Sequence, residues 1–179
     1  MLEKLKLITT FIFDVDGVLT DGNILVTEAG EQLRNFNTKD GYALQLAVKK
    51  GYKICVISGG TSQGVLKRLN GLGIADVFLG VHHKLPILEN YLKTNNLQPN
   101  NVVYVGDDIP DLPPMEKAGL AVCPADAVNE IKAVSHYVSP YKGGSGVARD
   151  IIEKVLKIQG KWFDTNPDAA DGGILKIQK

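Results

Sequence analysis

The chain has few cysteines and no long hydrophobic segment. Only Cys55 and Cys123 are cysteines, and both lie in predicted strands. Two thiols in separate strands form no disulfide framework, so we expect a reducing compartment, the cytoplasm. No apolar run approaches the roughly 18 residues that a membrane-spanning helix needs. The apolar residues near the N-terminus run directly into acidic ones, without the cleavage site of a secretion signal.

The chain also lacks an excess of charge of either sign. Its twenty basic and twenty acidic residues cancel to a formal net charge of zero at pH 7. Proteins held by nucleic acid or by an anionic membrane normally carry excess positive charge, so we expect neither as the main partner. Hydrophobic residues make up 44% of the chain and charged residues 22%. This balance supports a folded core and excludes wholesale disorder.

Apolar, β-branched segments alternate with segments of helical periodicity. Strands are predicted at residues 7–13, 53–57, 76–79, 102–105 and 120–123, and helices at 40–50, 62–70, 85–94 and 147–158. Alternation in units of about 25–30 residues is typical of βαβ crossovers. We therefore predict an α/β fold with a doubly wound, Rossmann-like and mostly parallel sheet. In such sheets, ligands bind at the carboxyl ends of the strands.

Two segments depart from this alternation. Residues 23–36 hold two short extended runs around a Glu-Ala-Gly-Glu turn, which predicts a β-hairpin projecting from the sheet. Residues 161–179 lose helical periodicity after Trp162. We therefore expect one domain at residues 1–160, followed by a C-terminal tail.

Two acidic residues follow the first predicted strand, in the sequence Asp14-Val15-Asp16-Gly17. Residues two apart in an extended chain point to the same side, so both carboxylates should face the ligand end of the sheet. At about 4 Å, two such charges repel by roughly 4 kcal/mol at an effective dielectric constant near 20. The pair therefore requires a cation, or protonation of one carboxyl group.

Further polar groups occur at the ends of other predicted strands. They are Asp107, Asp108 and Asp111 after residues 102–105, Ser58 and Gly59 after residues 53–57, and Lys84 at the start of the helix predicted at residues 85–94. Carboxylates suit a hard cation, whereas a hydroxyl, backbone amides and an ammonium suit an oxyanion. These residues predict a site for Mg²⁺ and a phosphoryl group.

These residues form four motifs: Asp14 with Asp16, Ser58, Lys84, and Asp107 with Asp108 and Asp111. The motifs resemble those of the haloacid dehalogenase superfamily of phosphotransferases, and the resemblance covers about residues 5–158. The resemblance implies that Asp14 is the nucleophile, forming an aspartyl-phosphate, and that Asp16 is the general acid and then the base. Ser58 and Lys84 would hold the phosphoryl oxygens. Mg²⁺ would be the cofactor, bound by the Asp14 carboxylate, the Asp16 backbone carbonyl and Asp107, with Asp108 and Asp111 in support. Superfamily members that preserve the phosphorylated enzyme have Thr in place of Asp16, so Asp16 favours hydrolysis.

The spacing of the motifs leaves no room for a cap domain. Only 43 residues separate Asp14 from Ser58, and 22 separate Lys84 from Asp107. The segments DVDGVLTDG, NTKDG, GDDIPDL and KGGSGVARD resemble the capless phosphatases that hydrolyse 3-deoxy-D-manno-octulosonate 8-phosphate for bacterial lipopolysaccharide. That resemblance implies a phosphorylated keto-deoxy sugar acid as substrate. It also implies a homotetramer whose hairpins cover neighbouring sites, and a tail that reaches an adjacent site.

One residue departs from the pattern of these phosphatases. Gly60 stands where they often carry Arg, which suits a sugar carboxylate. A nine-carbon sugar-acid 9-phosphate is therefore an alternative substrate. The candidates to replace the missing cation are Lys67, Arg68, Arg34 and Arg149.

The remaining substrate contacts have alternatives that the sequence leaves open. By resemblance, the substrate is bound by Ser58, Gly59, Lys84, Thr38, Asp40 and Arg149. Thr38 and Asp40 equally suit the cap of the following helix, and Arg149 equally suits a solvated position on its helix. The glycine-rich residues 143–146 either bind an anion at the N-terminus of the following helix or simply connect two elements.

Two other interpretations concern the histidines and the type of protein. We expect His82 and His83 to be loop residues near the mouth of the site rather than ligands of a transition metal. A phosphatase for nucleotides or small sugar phosphates, and a receiver-like module that accepts a phosphoryl group, are the alternative functions. Receivers carry their acidic pair and their phosphorylated Asp on different strands, which disfavours that second alternative.

Overall fold

The computed structural model describes residues 1–162 of the chain. Its helices are α1 (Leu2–Leu7), α2 (Thr38–Lys49), α3 (Gln63–Gly71), α4 (Lys84–Thr94), α5 (Leu112–Lys117), α6 (Asn129–Val134) and α7 (Val147–Ile158). Its strands are β1 (Thr10–Phe13), β2 (Leu25–Val26), β3 (Gln32–Leu33), β4 (Lys53–Ile57), β5 (Asp76–Phe78), β6 (Val102–Val105), β7 (Leu120–Cys123) and β8 (Tyr137–Val138). Residues 163–179 of the predicted tail lie outside the described part.

Six strands form one parallel sheet in the order β5-β4-β1-β6-β7-β8. β1 lies between β4 and β6, with Phe13 opposite Val56 on one side and Val105 on the other. The chain segments that follow these three strands therefore leave the sheet side by side. The predicted doubly wound α/β fold is confirmed.

Both faces of the sheet are covered, which explains why its central strands are almost entirely apolar. Phe11 and Phe13 of β1 pack on the side of α2 and α7, whereas Ile12 packs on the side of α4 and α5. All four residues of β1 are buried. Cys55 and Cys123 are buried free thiols in β4 and β7, as predicted.

The first predicted strand is wrong in its N-terminal half. Residues 2–7 form α1, and β1 begins only at Thr10. Leu5 is buried while Leu2 and Leu7 are exposed. Of the three leucines of this short helix, only Leu5 therefore contacts the core. A short apolar segment beside a strand does not distinguish these conformations by periodicity. α5, α6 and β8 have at most six residues each and were not predicted.

The predicted hairpin is confirmed as a separate two-stranded antiparallel sheet of β2 and β3. In its turn, the Thr27 N–H donates to the Glu31 carbonyl oxygen at 3.0 Å, and Gly30 adopts a φ of 80°. That positive φ favours glycine over other residues. None of the helices within residues 1–162 is long and apolar enough to cross a membrane.

Candidate active site

The carboxylates of Asp14, Asp107 and Asp111 converge at the carboxyl ends of β1 and β6. Each contributes an oxygen, and these oxygens all lie within 4.8 Å of one another. Gly17 allows this approach, because a Cβ at position 17 would overlap the Asp107 carboxylate. Gly17 also has a φ of 85°, which a larger residue rarely adopts. The acidic cluster expected from the sequence is present.

Lys84, the first residue of α4, points into this cluster. Its Nζ lies 2.7 Å from Asp111 Oδ1 and 3.0 Å from Asp14 Oδ1, and only 5% of the residue is exposed. Burial acts to lower the pKa of Lys84, but the charges of Asp14 and Asp111 outweigh it and leave the pKa above its ordinary value. The ammonium is therefore a fixed positive charge beside Asp14.

Asp111 connects the members of the cluster through hydrogen bonds to both of its carboxylate oxygens. Its Oδ1 accepts a hydrogen bond from the buried Tyr104 hydroxyl at 2.9 Å, in addition to the one from Lys84. Its Oδ2 accepts the Asp107 N–H at 3.2 Å. Since both oxygens have donors, Asp111 is better suited to positioning its neighbours than to binding an ion. Asp108 is exposed, and its carboxylate accepts the N–H of Ile109 at 2.8 Å.

Asp14 and Asp107 are the carboxylates with free binding capacity. Oδ1 of each is buried and accepts no aligned hydrogen bond from the described residues, although Asp14 Oδ1 forms the ion pair with Lys84. Burial, and then the charge of Asp111, raise the pKa of Asp14 to about 7. Burial, Asp14 and Asp111 raise the pKa of Asp107 to about 8. Buried, mutually repelling carboxylate oxygens are suitable ligands for Mg²⁺, so these residues fit the predicted cofactor.

Asp16 lies beside the cluster and is paired with a residue of the hairpin segment. Arg34, just after β3, donates from Nε to Asp16 Oδ1 at 2.6 Å and from Nη2 to Asp16 Oδ2 at 3.0 Å. From the sequence, Arg34 was a candidate only as a partner for the substrate carboxylate. The two residues are 18 positions apart, and no spacing rule indicates their contact.

Ser58 lies in the turn after β4 and is 2% exposed. Its backbone carbonyl accepts from Val81 N–H at 3.0 Å, and its Oγ accepts from Gly60 N–H at 3.2 Å. Gly59 in the same turn is exposed. A cavity of about 450 Å³ is lined by residues of all four motifs, including Asp14, Asp16, Ser58, Gly59, Lys84 and Asp107. The structure thus brings the four separated segments to one cavity.

The two histidines lie where the sequence analysis expects them. Both are exposed in the segment before α4, and His82 lines the same cavity as Asp14. Among residues 1–162, neither histidine belongs to a group with the spacing of metal ligands. His82 is therefore a rim residue of the cavity, and His83 is an exposed residue next to it.

Asp40 has a different partner from the one expected. Asn37 caps α2, since its side chain accepts the N–H of Lys39 at 2.8 Å. Of the two roles left open for Thr38 and Asp40, that of capping this helix is therefore taken by Asn37. The Asp40 carboxylate is 2% exposed and accepts the N–H groups of Gly146 at 3.1 Å and of Arg149 at 2.7 Å. Asp40 thus caps α7 from a distant part of the chain.

This contact also decides between the interpretations of the glycine-rich loop. The N-terminus of α7 already holds an anion, the Asp40 carboxylate, so residues 143–146 are a structural connection and not an open anion site. Arg149 forms an ion pair with Glu153 at 3.2 Å and lines a separate groove of about 660 Å³. Thr38, Asp40 and Arg149 do not line the cavity that contains Asp14.

Two further cationic residues were candidates to contact a substrate carboxylate. Lys67 is exposed on α3. Arg68 lines a cavity of about 520 Å³ between the hairpin and α3, which Arg34 also lines. Arg68 makes no ion pair with any residue that the structure describes. Arg68 thus combines a position in a cavity with a charge that no acidic side chain among residues 1–162 pairs.

Comparison with known proteins identifies relatives along most of the chain. The family model of haloacid dehalogenase-like hydrolases matches residues 70–151. The 3-deoxy-D-manno-octulosonate 8-phosphate phosphatases KdsC of Salmonella typhi and Escherichia coli K12 are each 38% identical over 161 residues, which cover 90% of this chain and 86% of the relative.

Solved structures agree with these relatives. The phosphatase of the same name from Yersinia pestis superimposes with a TM-score of 0.88 at 35% identity, covering 90% of this chain and 87% of the other. The corresponding phosphatase from Moraxella catarrhalis, solved with a magnesium ion, a phosphate ion and KDO, has a TM-score of 0.87 at 33% identity. It covers 90% of this chain and 92% of the other.

Proposed function

Because the chain belongs to the 3-deoxy-D-manno-octulosonate 8-phosphate phosphatases of the haloacid dehalogenase-like hydrolases, we propose that it hydrolyses this sugar-acid phosphate. The products are the free sugar acid and inorganic phosphate. The observation that carries the proposal is the convergence of Asp14, Asp107 and Lys84 at one cavity, since a phosphatase of this kind needs these charges together. Family membership also makes a receiver-like signalling role untenable.

The first step is attack by the Asp14 carboxylate on phosphorus. A new bond forms between Asp14 and phosphorus, and the bond from phosphorus to the sugar oxygen breaks. Asp16 enters this step as the protonated acid and gives its proton to that oxygen, so the sugar leaves as a neutral alcohol and Asp16 is left as the carboxylate. Lys84 and Ser58 are suited to bind the phosphoryl oxygens. Lys84 carries a buried ammonium, and Ser58 carries a hydroxyl in the turn after β4 at the same cavity.

Mg²⁺ is the cofactor, and the residues that would hold it are Asp14 and Asp107, with the Asp16 backbone carbonyl as the third predicted ligand. When bound, the ion neutralises negative charge that would otherwise repel the nucleophile from the phosphoryl group. Asp111 supports this arrangement by holding Lys84 and the backbone of Asp107.

The second step releases phosphate from Asp14. Asp16, ionised after the first step, takes a proton from water, and the water oxygen bonds to phosphorus. The bond between phosphorus and Asp14 breaks, which restores the free carboxylate. Two easier steps thus replace one difficult hydrolysis.

The assembly and location of the protein are part of the proposal. Leu25, Val26 and Leu33 of the hairpin are 67%, 62% and 48% exposed, which favours packing of the hairpin against another copy of the chain. We therefore propose that hairpins of neighbouring copies pack together and cover each other's sites, in the homotetramer that the resemblance to the capless phosphatases implies. The two buried free thiols favour the cytoplasm.

The test is a comparison of substrates by kcat/KM, with Mg²⁺ and with EDTA. The panel contains the eight-carbon sugar-acid 8-phosphate, a nine-carbon sugar-acid 9-phosphate, a nucleoside monophosphate and a neutral hexose phosphate. We expect the eight-carbon substrate to be preferred at least tenfold, with loss of turnover in EDTA. Preference for another member of the panel would overturn the proposed substrate and leave the phosphatase chemistry in place.

A further inference from the structure

The contact between Arg34 and Asp16 joins the hairpin segment to the acid and base of the proposed reaction. The guanidinium faces the carboxylate with two parallel hydrogen bonds, of 2.6 Å and 3.0 Å. The third nitrogen, Nη1, donates to the backbone carbonyl of Gln32 at 3.3 Å. All three nitrogens of Arg34 therefore have acceptors, and its side chain is only 5% exposed.

This contact fixes the orientation of the Asp16 side chain. A two-pronged pair of arginine and carboxylate restricts the plane of the carboxylate, which a single hydrogen bond does not. The Asp16 side chain remains 30% exposed, so it is accessible from the active-site cavity, which it lines. Within residues 1–162, the other hydrogen bond to its carboxylate comes from Thr20 Oγ1 and is long, at 3.5 Å. Arg34 thus supplies most of the restraint.

Gly60 provides the space in which this pair lies. A Cβ at position 60 would lie 3.3 Å from Arg34 Nη2, 3.5 Å from Asp16 Oδ2 and 3.7 Å from Ser58 Oγ. Arg34, Asp16 Oδ2 and Ser58 therefore surround one small volume. Since Ser58 is proposed to bind a phosphoryl oxygen, Asp16 Oδ2 faces the same small volume as a group that would contact the phosphoryl group.

We propose that Arg34 is the positioning residue for Asp16, and that proton transfer to the leaving group depends on it. This inference rests on the proposed function, in which Asp16 is the acid and then the base. Arg34 transfers no proton and remains a cation throughout. Its contribution is to keep a carboxylate oxygen in reach of the leaving oxygen, where a small displacement slows the reaction strongly.

The experiment uses two substrates whose leaving groups differ in their need for a proton. A sugar alkoxide leaves poorly unless it is protonated, whereas p-nitrophenolate leaves without help. Wild type, Arg34→Gln, Arg34→Lys and Asp16→Asn are compared in single-turnover reactions on the sugar-acid phosphate. With p-nitrophenyl phosphate, the measured quantity is the initial burst of p-nitrophenolate, which reports formation of the phosphorylated enzyme alone.

We expect Arg34→Gln to slow the single turnover of the sugar-acid phosphate at least tenfold and to change the rate of the burst less than threefold. Asp16→Asn should show the same pattern with a larger loss. Arg34→Lys retains the charge without the two-pronged contact, so it should fall between wild type and Arg34→Gln. Lys49→Gln, an exposed loss of one positive charge at the end of α2, should match wild type in both assays.

Equal slowing of both substrates would assign Arg34 a merely structural role and overturn the inference, as would no slowing of either. If Arg34→Gln fails to fold, the smaller change Arg34→Lys decides by the same ratio of rates. A wild-type protein that hydrolyses p-nitrophenyl phosphate and another alkyl phosphate, but not the sugar-acid phosphate, overturns the proposed substrate alone. The dependence on Arg34 is then measured with the alkyl phosphate that is cleaved.

Discussion

Removal of divalent cations should make the stability of this protein fall as the pH rises from 5 to 8. The cause is the pair Asp14 and Asp107, whose folded-state pKa values are about 7 and about 8 against an ordinary value of 3.8. Between the ordinary and the raised value, the folded protein binds more protons than the unfolded chain. Stability is therefore greatest below about pH 4 for these groups, and is lost as the pH rises through their folded-state pKa values.

The size of the effect follows from the raised pKa of Asp14. A difference of about three pH units between the folded and unfolded states corresponds to roughly 4 kcal/mol, at about 1.4 kcal/mol per unit. About two of these three units fall above pH 5, so roughly 3 kcal/mol is lost between pH 5 and 8, which lowers the Tm of a chain of this size by roughly 8 °C. Asp107 adds less than its own shift suggests, because the two carboxylates repel each other and the loss of one charge relieves the other.

Magnesium should reverse this dependence. The ion binds ionised carboxylates, so its binding competes with protons and stabilises the folded protein more at pH 8 than at pH 5.5. The assay is a series of thermal melts at pH 5 to 8, in EDTA and in excess Mg²⁺. Asp107→Asn is the matched control, because it removes one of the two acids while conserving shape.

In that variant, the melts in EDTA should depend less on pH, and Mg²⁺ should raise Tm less. If the wild-type Tm in EDTA is constant or rises between pH 5 and 8, the raised pKa values are incorrect. If the increase in Tm caused by Mg²⁺ is the same at every pH, the ion does not bind these carboxylates.

Three further substitutions test separate parts of the structure. Asp14→Asn should abolish turnover with Tm in EDTA unchanged or increased, and retained turnover would exclude Asp14 as the nucleophile. Gly17→Ala should lower Tm and weaken Mg²⁺ binding at least tenfold by calorimetric titration, because its Cβ would displace the Asp107 carboxylate at a φ of 85°; wild-type affinity would contradict this packing. Asp40→Ala should cost about 1–2 kcal/mol in chemical denaturation through loss of the α7 cap, with KM nearly unchanged; a large change in KM would instead indicate contact with substrate.

Several features followed from the sequence because they depend on local rules. The glycine after Asp14-Val15-Asp16 marks the end of a buried strand, and parallel strands place their carboxyl ends along one edge. These two rules were enough to predict that Asp14, Ser58 and Asp107 lie at one site, and the structure places them at one cavity. Helix periodicity likewise located α7, whose bounds match the predicted residues 147–158.

The local rules failed where the signal was short. The strand predicted from residue 7 begins only at Thr10, and Leu7 instead ends the short helix α1, whose buried residue is Leu5. The cap of α2 was one of two roles left open for Thr38 and Asp40, and Asn37 supplies it instead. Neighbouring polar residues compete for one cap position, and the backbone conformation at each decides which of them occupies it.

Sequence alone determined which chemical groups gather at the edge of the sheet, since the segments that follow parallel strands all emerge at their carboxyl ends. Tertiary structure alone decided the partners of those groups. Asp40 reaches Gly146 across 106 positions, and Arg34 reaches Asp16 across 18. Such contacts depend on how helices and the hairpin pack against one another, and a hydrogen bond tolerates displacements of only a few tenths of an ångström. Residue spacing along the chain carries no information at that precision.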